Sequence, residues 1–198
     1  MFRLIETIRF HDGRFNNLVY HERRMRRALK GIYGAEDEIK LEMVLNQFPK
    51  PGPGLYKCRL MYDNKSNLAE FTPYQARPVN SLKLIYDDNI SYPHKFCDRT
   101  GLENHFGQRG VCDDVLIIRN GMVTDTAYAN IAMRRGKEWF TPWSFLLAGT
   151  MRQSLLDRKL IREVEMKVDE IVNFESFKII NAMLMFDAQE VSIENIAK

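Results

Sequence analysis

Four stretches of the chain carry side chains that could do chemistry, and each has a plainer reading beside the active one. In "SYPHKFCDRTGLE", residues 91–103, Lys95 follows a histidine and precedes the pair Asp98 and Arg99. A neutral lysine amine can attack a carbonyl carbon or carry a proton, but the chain has 29 basic residues and most lysines are solvated charges. In "FLLAGTMRQSLL", Gly149, Thr150 and Met151 open a helical pattern, so backbone N–H groups at the positive end of a helix dipole could hold an anion. Glycine and threonine are also ordinary helix caps. In "NGMVTDTAYANIA", Asp125 follows a short strand and Asn130 lies five residues on. An acid at a strand end usually bonds its own backbone; its active alternative is a carboxylate that holds a protonated ring nitrogen. In "YHERRMRRAL", four arginines fall between Arg23 and Arg27. On an exposed face they are solvated, whereas one turned inward could pair with phosphate.

The elements that must position these residues follow from periodicity. "FRLIETIRFHDGRFNNLVYH" alternates on both sides of "HDG" and reads as two strands with a tight turn. "HERRMRRALKGIYG" has Met25, Ala28, Leu29 and Ile32 at helical spacing, with Gly31 and Gly34 as the expected stop. A second helix, "EDEIKLEMVLNQF", is acidic in its first turn through Glu36, Asp37 and Glu38, as the macrodipole favours. Strands follow at "GLYKCRLMYD" and "LAEFTPYQ". "QARPVNS" reads as a linker, which puts a boundary near residue 80.

Beyond it come a strand at "LKLIYDD", a polar helix around "DRTGLENHF", and a strand-rich block from "DDVLIIRNG" to "EWFTP" with a hairpin signal at "NG". A helix at "GTMRQSLLDRKL", a strand at "REVEMKV", a short helix at "DEIVNF" and strands at "KIINAMLMFD" and "EVSI" close the chain. The class is α+β with two subdomains: a small α/β subdomain over residues 1–79 and a sheet-rich one over residues 80–198.

Composition excludes several classes. Three cysteines, Cys58, Cys97 and Cys112, show no CxxC and no zinc-like spacing, which points to free thiols in a reducing compartment such as the cytoplasm and to no metal site. Charges break up the N-terminal apolar run, so no signal peptide is expected there, and no window has the apolar length of a membrane span. The net charge of +3 and the acids that follow the arginine cluster argue against nucleic acid as a partner.

Taken in order, these features resemble the class IV aminotransferases, the fold-type IV pyridoxal-phosphate enzymes that include branched-chain and D-amino-acid aminotransferases and aminodeoxychorismate lyase. "ETIRFHDGRFNNLVYHERRM" is similar to the family's opening, with His21 and Arg24 on its His-x-x-Arg positions. "HKFCDR" is similar to the lyase branch's Lys-x-x-(Asn/Asp)-Arg. "VTDTAYANIA" resembles the Glu-x-x-x-x-Asn stretch, with Asp125 in the place of the usual glutamate. "LAGTMRQ" matches the phosphate loop, and "INAMLMF" resembles the lyase branch's Asn-Ala strand. The likeness runs from about Glu6 to about Phe186. The chain opens almost at the family's Glu-Thr, without the strand and loop that usually precede it and help line the active-site mouth.

The resemblance implies a two-subdomain fold with a sheet-rich pseudo-barrel in its second part, pyridoxal 5'-phosphate as cofactor, an amino compound as substrate and a homodimer as the working form. It puts Lys95 on the Schiff-base lysine, Arg24 on the cofactor phosphate with the backbone of Gly149, Thr150 and Met151, and Asp125 with Asn130 at the ring nitrogen. Asn181 falls on a further cofactor position, and strand alternation offers Arg59 as a cation for the substrate carboxylate. An aspartate, one methylene shorter than glutamate, must sit closer to the ring or act through water. Lys95 needs burial or neighbouring cations to free its amine, because an ordinary lysine is neutral in only about one molecule in two thousand at pH 7. The motifs lean to the lyase, which eliminates pyruvate from aminodeoxychorismate, ahead of an aminotransferase. A non-catalytic relative keeping the fold and a nucleic-acid binder using the arginine helix are the competing classes.

Overall fold

The computed structural model describes residues 3–35, 40–186 and 189–198. Its contacts divide the chain into two compact units, Met1–Ala76 with His94–Asp98, and Arg77–Pro93 with Arg99–Lys198. Helices and sheets mix in both, and the chain is α+β.

In the first unit, alternation along β1 (Leu4–His11) sends Leu4, Glu6, Ile8 and Phe10 into the interior, each fully buried. The turn expected at "DG" forms there: Asp12 and Gly13 adopt positive φ of 46° and 79°, the geometry that joins β1 to β2 (Arg14–Phe15). β3 (Leu55–Tyr62) pairs antiparallel with β1 along its whole length, and β4 (Asn67–Pro73) pairs with β3, giving the order β2-β1-β3-β4. Helix α1 (Leu18–Tyr33) lays Met25, Ala28 and Leu29 on the core that Cys58, Leu60 and Tyr62 form from β3. Leu41 and Leu45 of the short α2 (Leu41–Leu45) complete it. The acidic first turn expected for this helix, residues 36–39, lies outside the described residues.

One expected stop is corrected. Helix α1 runs through Gly31 and ends at Gly34, whose φ of 66° suits a helix C-terminus. Gly31 serves a neighbour instead: a Cβ there would lie 3.3 Å from Nε2 of His94. The segment that His94 opens docks on the start of β1. The Ile5 N–H donates to the Lys95 carbonyl at 2.9 Å, the Cys97 N–H donates to the Arg3 carbonyl at 2.8 Å, and Leu4 bridges Phe96. Lys95 is thereby fixed by main-chain bonds to the strand that carries Glu6.

In the second unit, β5 (Leu82–Tyr86), β6 (Asp114–Arg119) and β7 (Met122–Thr126) form one sheet, β5 and β6 parallel and β6 and β7 a hairpin. Asn120 and Gly121 take the positive φ that its "NG" turn needs. α3 (Thr100–Gly107) follows the Lys95 segment. β8 (Asn130–Arg135), β9 (Glu138–Pro142), β10 (Arg162–Val164), β11 (Ser176–Ile180) and β12 (Val191–Ser192) build the other sheet, in the order β10-β9-β8-β11-β12, and β13 (Ile196–Ala197) edges the first beside β5.

Leu116, Ile118 and Val123 meet Ile131, Met133 and Phe177 in the core between these sheets. Ala132 and Ile180 face the other way, against Met151 and Leu155 of α4 (Thr150–Asp157). β8 is therefore buried on both faces over Ile131, Ala132 and Met133, which fits three successive apolar residues there. The strand expected through "KIINAMLMFD" stops at Ile180, because Asn181 turns the chain: its Oδ1 accepts the N–H groups of Met183 and Leu184 at 2.9 and 3.2 Å. No helix of the described residues is long and apolar enough to cross a membrane.

An interior helical Gly→Ala change stabilises by about 1 kcal/mol where there is room. At Gly31 we expect urea unfolding to show clearly less, and the full gain to return when Gly31→Ala is made in a His94→Ala background. Equal gains in both backgrounds would contradict the contact.

Candidate active site

Glu6 is an acid at a core-facing strand position with no exposure to water, and it is held from α1 by two residues one helical turn apart. The Nε–H of Arg24 donates to its Oε1 at 2.9 Å and an Nη2–H to its Oε2 at 2.5 Å, a two-point grip on the carboxylate. The His21 ring nitrogen Nδ1 lies 2.6 Å from Oε2. Burial alone would raise the Glu6 carboxyl, but Arg24 and then His21 outweigh it and bring it down to about 2. An ionised carboxylate only accepts, so Nδ1 carries the hydrogen. Burial depresses the His21 imidazole, Glu6 pulls the other way, and the charges of Arg24 and Lys95 add to the depression.

The arginine cluster thus sorts itself. Arg24 is turned inward with its side chain 11% exposed, Arg26 pairs with Glu22, and Arg23 lies over the Tyr20 ring.

Asp125 lies on β7 where its register with β6 shifts, between the pairs Leu116–Thr126 and Ile118–Val123. Irregularities of this bulge type re-aim side chains, and they gather at functional sites. The buried carboxylate accepts the N–H groups of Leu146 and Leu147 on Oδ2, at 3.0 and 2.9 Å, and Nδ2–H of Asn130 on Oδ1 at 2.7 Å. Burial raises its carboxyl to about 6, with the three hydrogen bonds and Arg152 opposing. The fold therefore disfavours its charge, and Asp125 withdraws stability as pH rises from 3.8 through about 6.

Asn130 also donates to the Leu147 carbonyl at 3.0 Å. It leaves no room on the other side: a Cβ at Gly149 would lie 1.8 Å from its Oδ1. Gly149 is the residue before α4, and the buried Thr150 and Met151 open that helix. Its start is the positive end of the helix dipole.

The turn between β7 and β8 is pinned from two elements. Arg99, which precedes α3, donates through Nη2 to the Ala127 carbonyl at 2.7 Å and lies 4.8 Å from the Tyr128 ring. The Ala127 N–H donates to the buried Asp114 at 3.3 Å.

Of the residues singled out in the sequence, the first unit holds Arg24 on the buried Glu6 and sets the half-buried Lys95 where its charge reaches His21, and the second joins Asp125, Asn130 and the start of α4. Arg59 lies on β3, and its charge reaches Cys97, two residues from Lys95. The side-chain oxygen of Asn181 is engaged in its own turn. Glu6 was missed as a site residue, although an acid inside "LIETI" at a core-facing position was a visible signal.

The sequence profile of the family described as amino-transferase class IV matches residues 3–190. The chain belongs to this family. Class IV aminotransferases are pyridoxal-phosphate-dependent enzymes. An uncharacterized protein of Haemophilus influenzae is 36% identical over 186 residues, which cover 92% of this chain and 98% of that protein. The solved structure of a candidate 4-amino-4-deoxychorismate lyase from Haemophilus somnus 129PT is 33% identical with a TM-score of 0.87, over 92% of this chain and 97% of that one. A candidate amino-acid aminotransferase from Mesorhizobium loti shares the fold at 20% identity and a TM-score of 0.79, over 97% and 98% of the two chains. The residues of this class IV aminotransferase fit the family's cofactor. A buried carboxylate with a proton affinity near neutrality suits a pyridine nitrogen, and an oriented arginine and a helix start that only glycine can precede suit a phosphate.

Glu6 supplies a pH test. Its folded value lies below the ordinary 4.5, so its contribution is present above 4.5 and is lost as pH falls through about 2. A shift of that size is worth about 3 kcal/mol. Glu6→Gln should therefore lose about 3 kcal/mol at pH 7 in guanidinium unfolding, with the gap to wild type closing as pH falls from 4.5 to 2.

Proposed function

We propose that this enzyme is a lyase that removes pyruvate from 4-amino-4-deoxychorismate to leave 4-aminobenzoate, using pyridoxal phosphate carried on Lys95. The observation that carries the reading is the placement of Lys95: main-chain bonds at its own carbonyl and at Cys97 tie its segment to the start of β1, and its charge acts on the His21 that Glu6 holds. "KFCDR", "AGTMRQ" and "INAM" lean to the lyase branch, and the Haemophilus somnus structure supports the same direction. The family match spans residues 3–190 and so includes both units.

In this reading Arg24, oriented by Glu6, and the N–H groups of Thr150 and Met151 hold the phosphate. Asp125 Oδ1 accepts from Asn130 and keeps a lone pair for the proton of the ring nitrogen. Gly149 and Asn130 set the helix start against that carboxylate. Asn181 shapes the turn beside Asn130, since Ile180 and Asn130 are register partners. The bound cofactor supplies an electron sink for charge that develops on the carbon next to the substrate nitrogen. The Lys95 amine is the base that takes the proton from that carbon and the acid that returns one. Arg59 takes a substrate carboxylate. A cytoplasmic homodimer is the form proposed to act.

The test is turnover by the cofactor-loaded protein. 4-Aminobenzoate and pyruvate should appear in equal amounts from aminodeoxychorismate, and Lys95→Ala should reduce the rate by about a thousandfold or more. Nitrogen transfer between branched-chain or D-amino acids and 2-oxo acids, without lyase turnover, would assign an aminotransferase. Bound cofactor without any turnover would assign a non-catalytic relative.

A further inference from the structure

An arginine is a costly choice for the buried side of α4. The side chain of Arg152 is 3% exposed, and its Nε is buried without a hydrogen-bond partner, an unmet donor that works against folding. Its carboxylate partner, Glu163 of β10, is 43% exposed, so water screens the negative half of the pair while the positive half stays inside. Met151 and Leu155 of the same helix pack into the core without such a cost. A buried ion pair adds little over apolar packing, so helix docking alone does not account for Arg152.

What its guanidinium touches is the segment just before it, residues 143–149, which joins β9 to α4. Nη2 donates to the carbonyl of Pro142, where β9 ends, at 2.9 Å and also to Glu163, and the guanidinium carbon lies 4.3 Å from the centroid of the Phe145 ring. The segment has two further anchors at its start: the Trp143 N–H donates to the Val164 carbonyl at 2.9 Å, and the Ser144 hydroxyl to the Val123 carbonyl at 2.6 Å. Directly after Phe145 come Leu146 and Leu147, whose N–H groups meet Oδ2 of Asp125. Arg152 therefore folds the segment back on its own beginning, and the residue it stacks on is the neighbour of the first donor. The hydrogen bonds to Asp125 come from neutral groups of this segment and of β8, while Arg152 on α4 adds a positive charge that favours the ionised carboxylate.

We propose that Arg152 is a positioning residue for Asp125: clamped on the Pro142 carbonyl and the Phe145 ring, its guanidinium holds the Leu146 and Leu147 N–H groups on the Asp125 carboxylate. The clamp makes the donors of Asp125 and the first turn of α4 a single piece, because Arg152 belongs to the helix and grips the segment that leads into it. A lysine would keep the charge but has neither the planar fork nor the flat face that the two contacts use. The inference rests on the reading above only for the partner of Asp125, the ring nitrogen; the clamp itself stands on this chain's own contacts.

The full-length chain, labelled with nitrogen-15 leucine and free of cofactor, allows a direct test by NMR across pH 4 to about 8.5. The Leu146 and Leu147 amide signals should titrate together with a midpoint of about 6, and Asp125→Asn should abolish that titration. Arg152→Met should move the midpoint up by about one pH unit or more and shrink the change in both signals, with Arg152→Lys lying between it and wild type. A role in stability alone would lower the melting temperature and leave the midpoint in place. If circular dichroism shows Arg152→Met unfolded, Phe145→Leu, which leaves every charge in place, must raise the midpoint by about a third of a pH unit or more and shrink the two signal changes. A wild-type midpoint in folded Arg152→Met or in Phe145→Leu, or full recovery in Arg152→Lys, overturns the proposal. Titration of the same samples with pyridoxal phosphate separates the two ideas: equal affinity in wild type and Asp125→Asn counts against the ring-nitrogen role and leaves the NMR comparison intact.

Discussion

A single carboxylate with no access to water, that of Glu6, organises the first unit. It comes from the strand that pairs with three others: β2, β3 and the Lys95 segment. It takes its partners from α1, so the same three hydrogen-bonded side chains also set the helix on the sheet. Removing two charges from water is costly, and such groups add little net stability over apolar packing, whereas breaking them is severe. What the cluster gives is position. Arg24 is locked in plane by two bonds and His21 is kept neutral, both beside a lysine whose backbone is fixed.

The second unit meets the opposite problem with the same chemistry. Asp125 is also buried but has neutral donors as its close partners, so burial wins and its carboxyl rises where that of Glu6 falls. Two carboxylates pushed apart by their surroundings can take different parts, one a permanent anion and the other a group that shares protons near neutrality. The neighbours of Asp125 are tightly arranged: Asn130 bonds it, bonds the Leu147 carbonyl and presses on Gly149, while Arg99 and Asp114 hold the intervening turn.

Much of this was legible in the sequence where the cause is local. The "DG" and "NG" turns required positive φ and adopt it, and the spacing of Met25, Ala28 and Leu29 defined the buried face of α1. The same spacing puts Arg24 one turn from His21, but the acid in "LIETI" was not read as their partner, and four neighbouring arginines hid which one would turn inward. What escaped depends on distant pairing. Gly31 reads as a stop until His94 is seen against it, the register shift at Asp125 exists only in relation to β6, and Asn181 ends its strand through a turn of its own. The return of residues 94–98 to the first unit, across a boundary that composition put near residue 80, is likewise a matter of long-range strand pairing.

The central claim is that Lys95 is the residue that bonds the cofactor. Borohydride reduction of the pyridoxal-phosphate-loaded protein, followed by proteolysis and mass spectrometry, tests it at the level of a single side chain. The account predicts one phosphopyridoxyl group per chain, on the peptide carrying Lys95 and on that lysine. A label on another lysine, or a fully labelled Lys95→Ala variant, would contradict it.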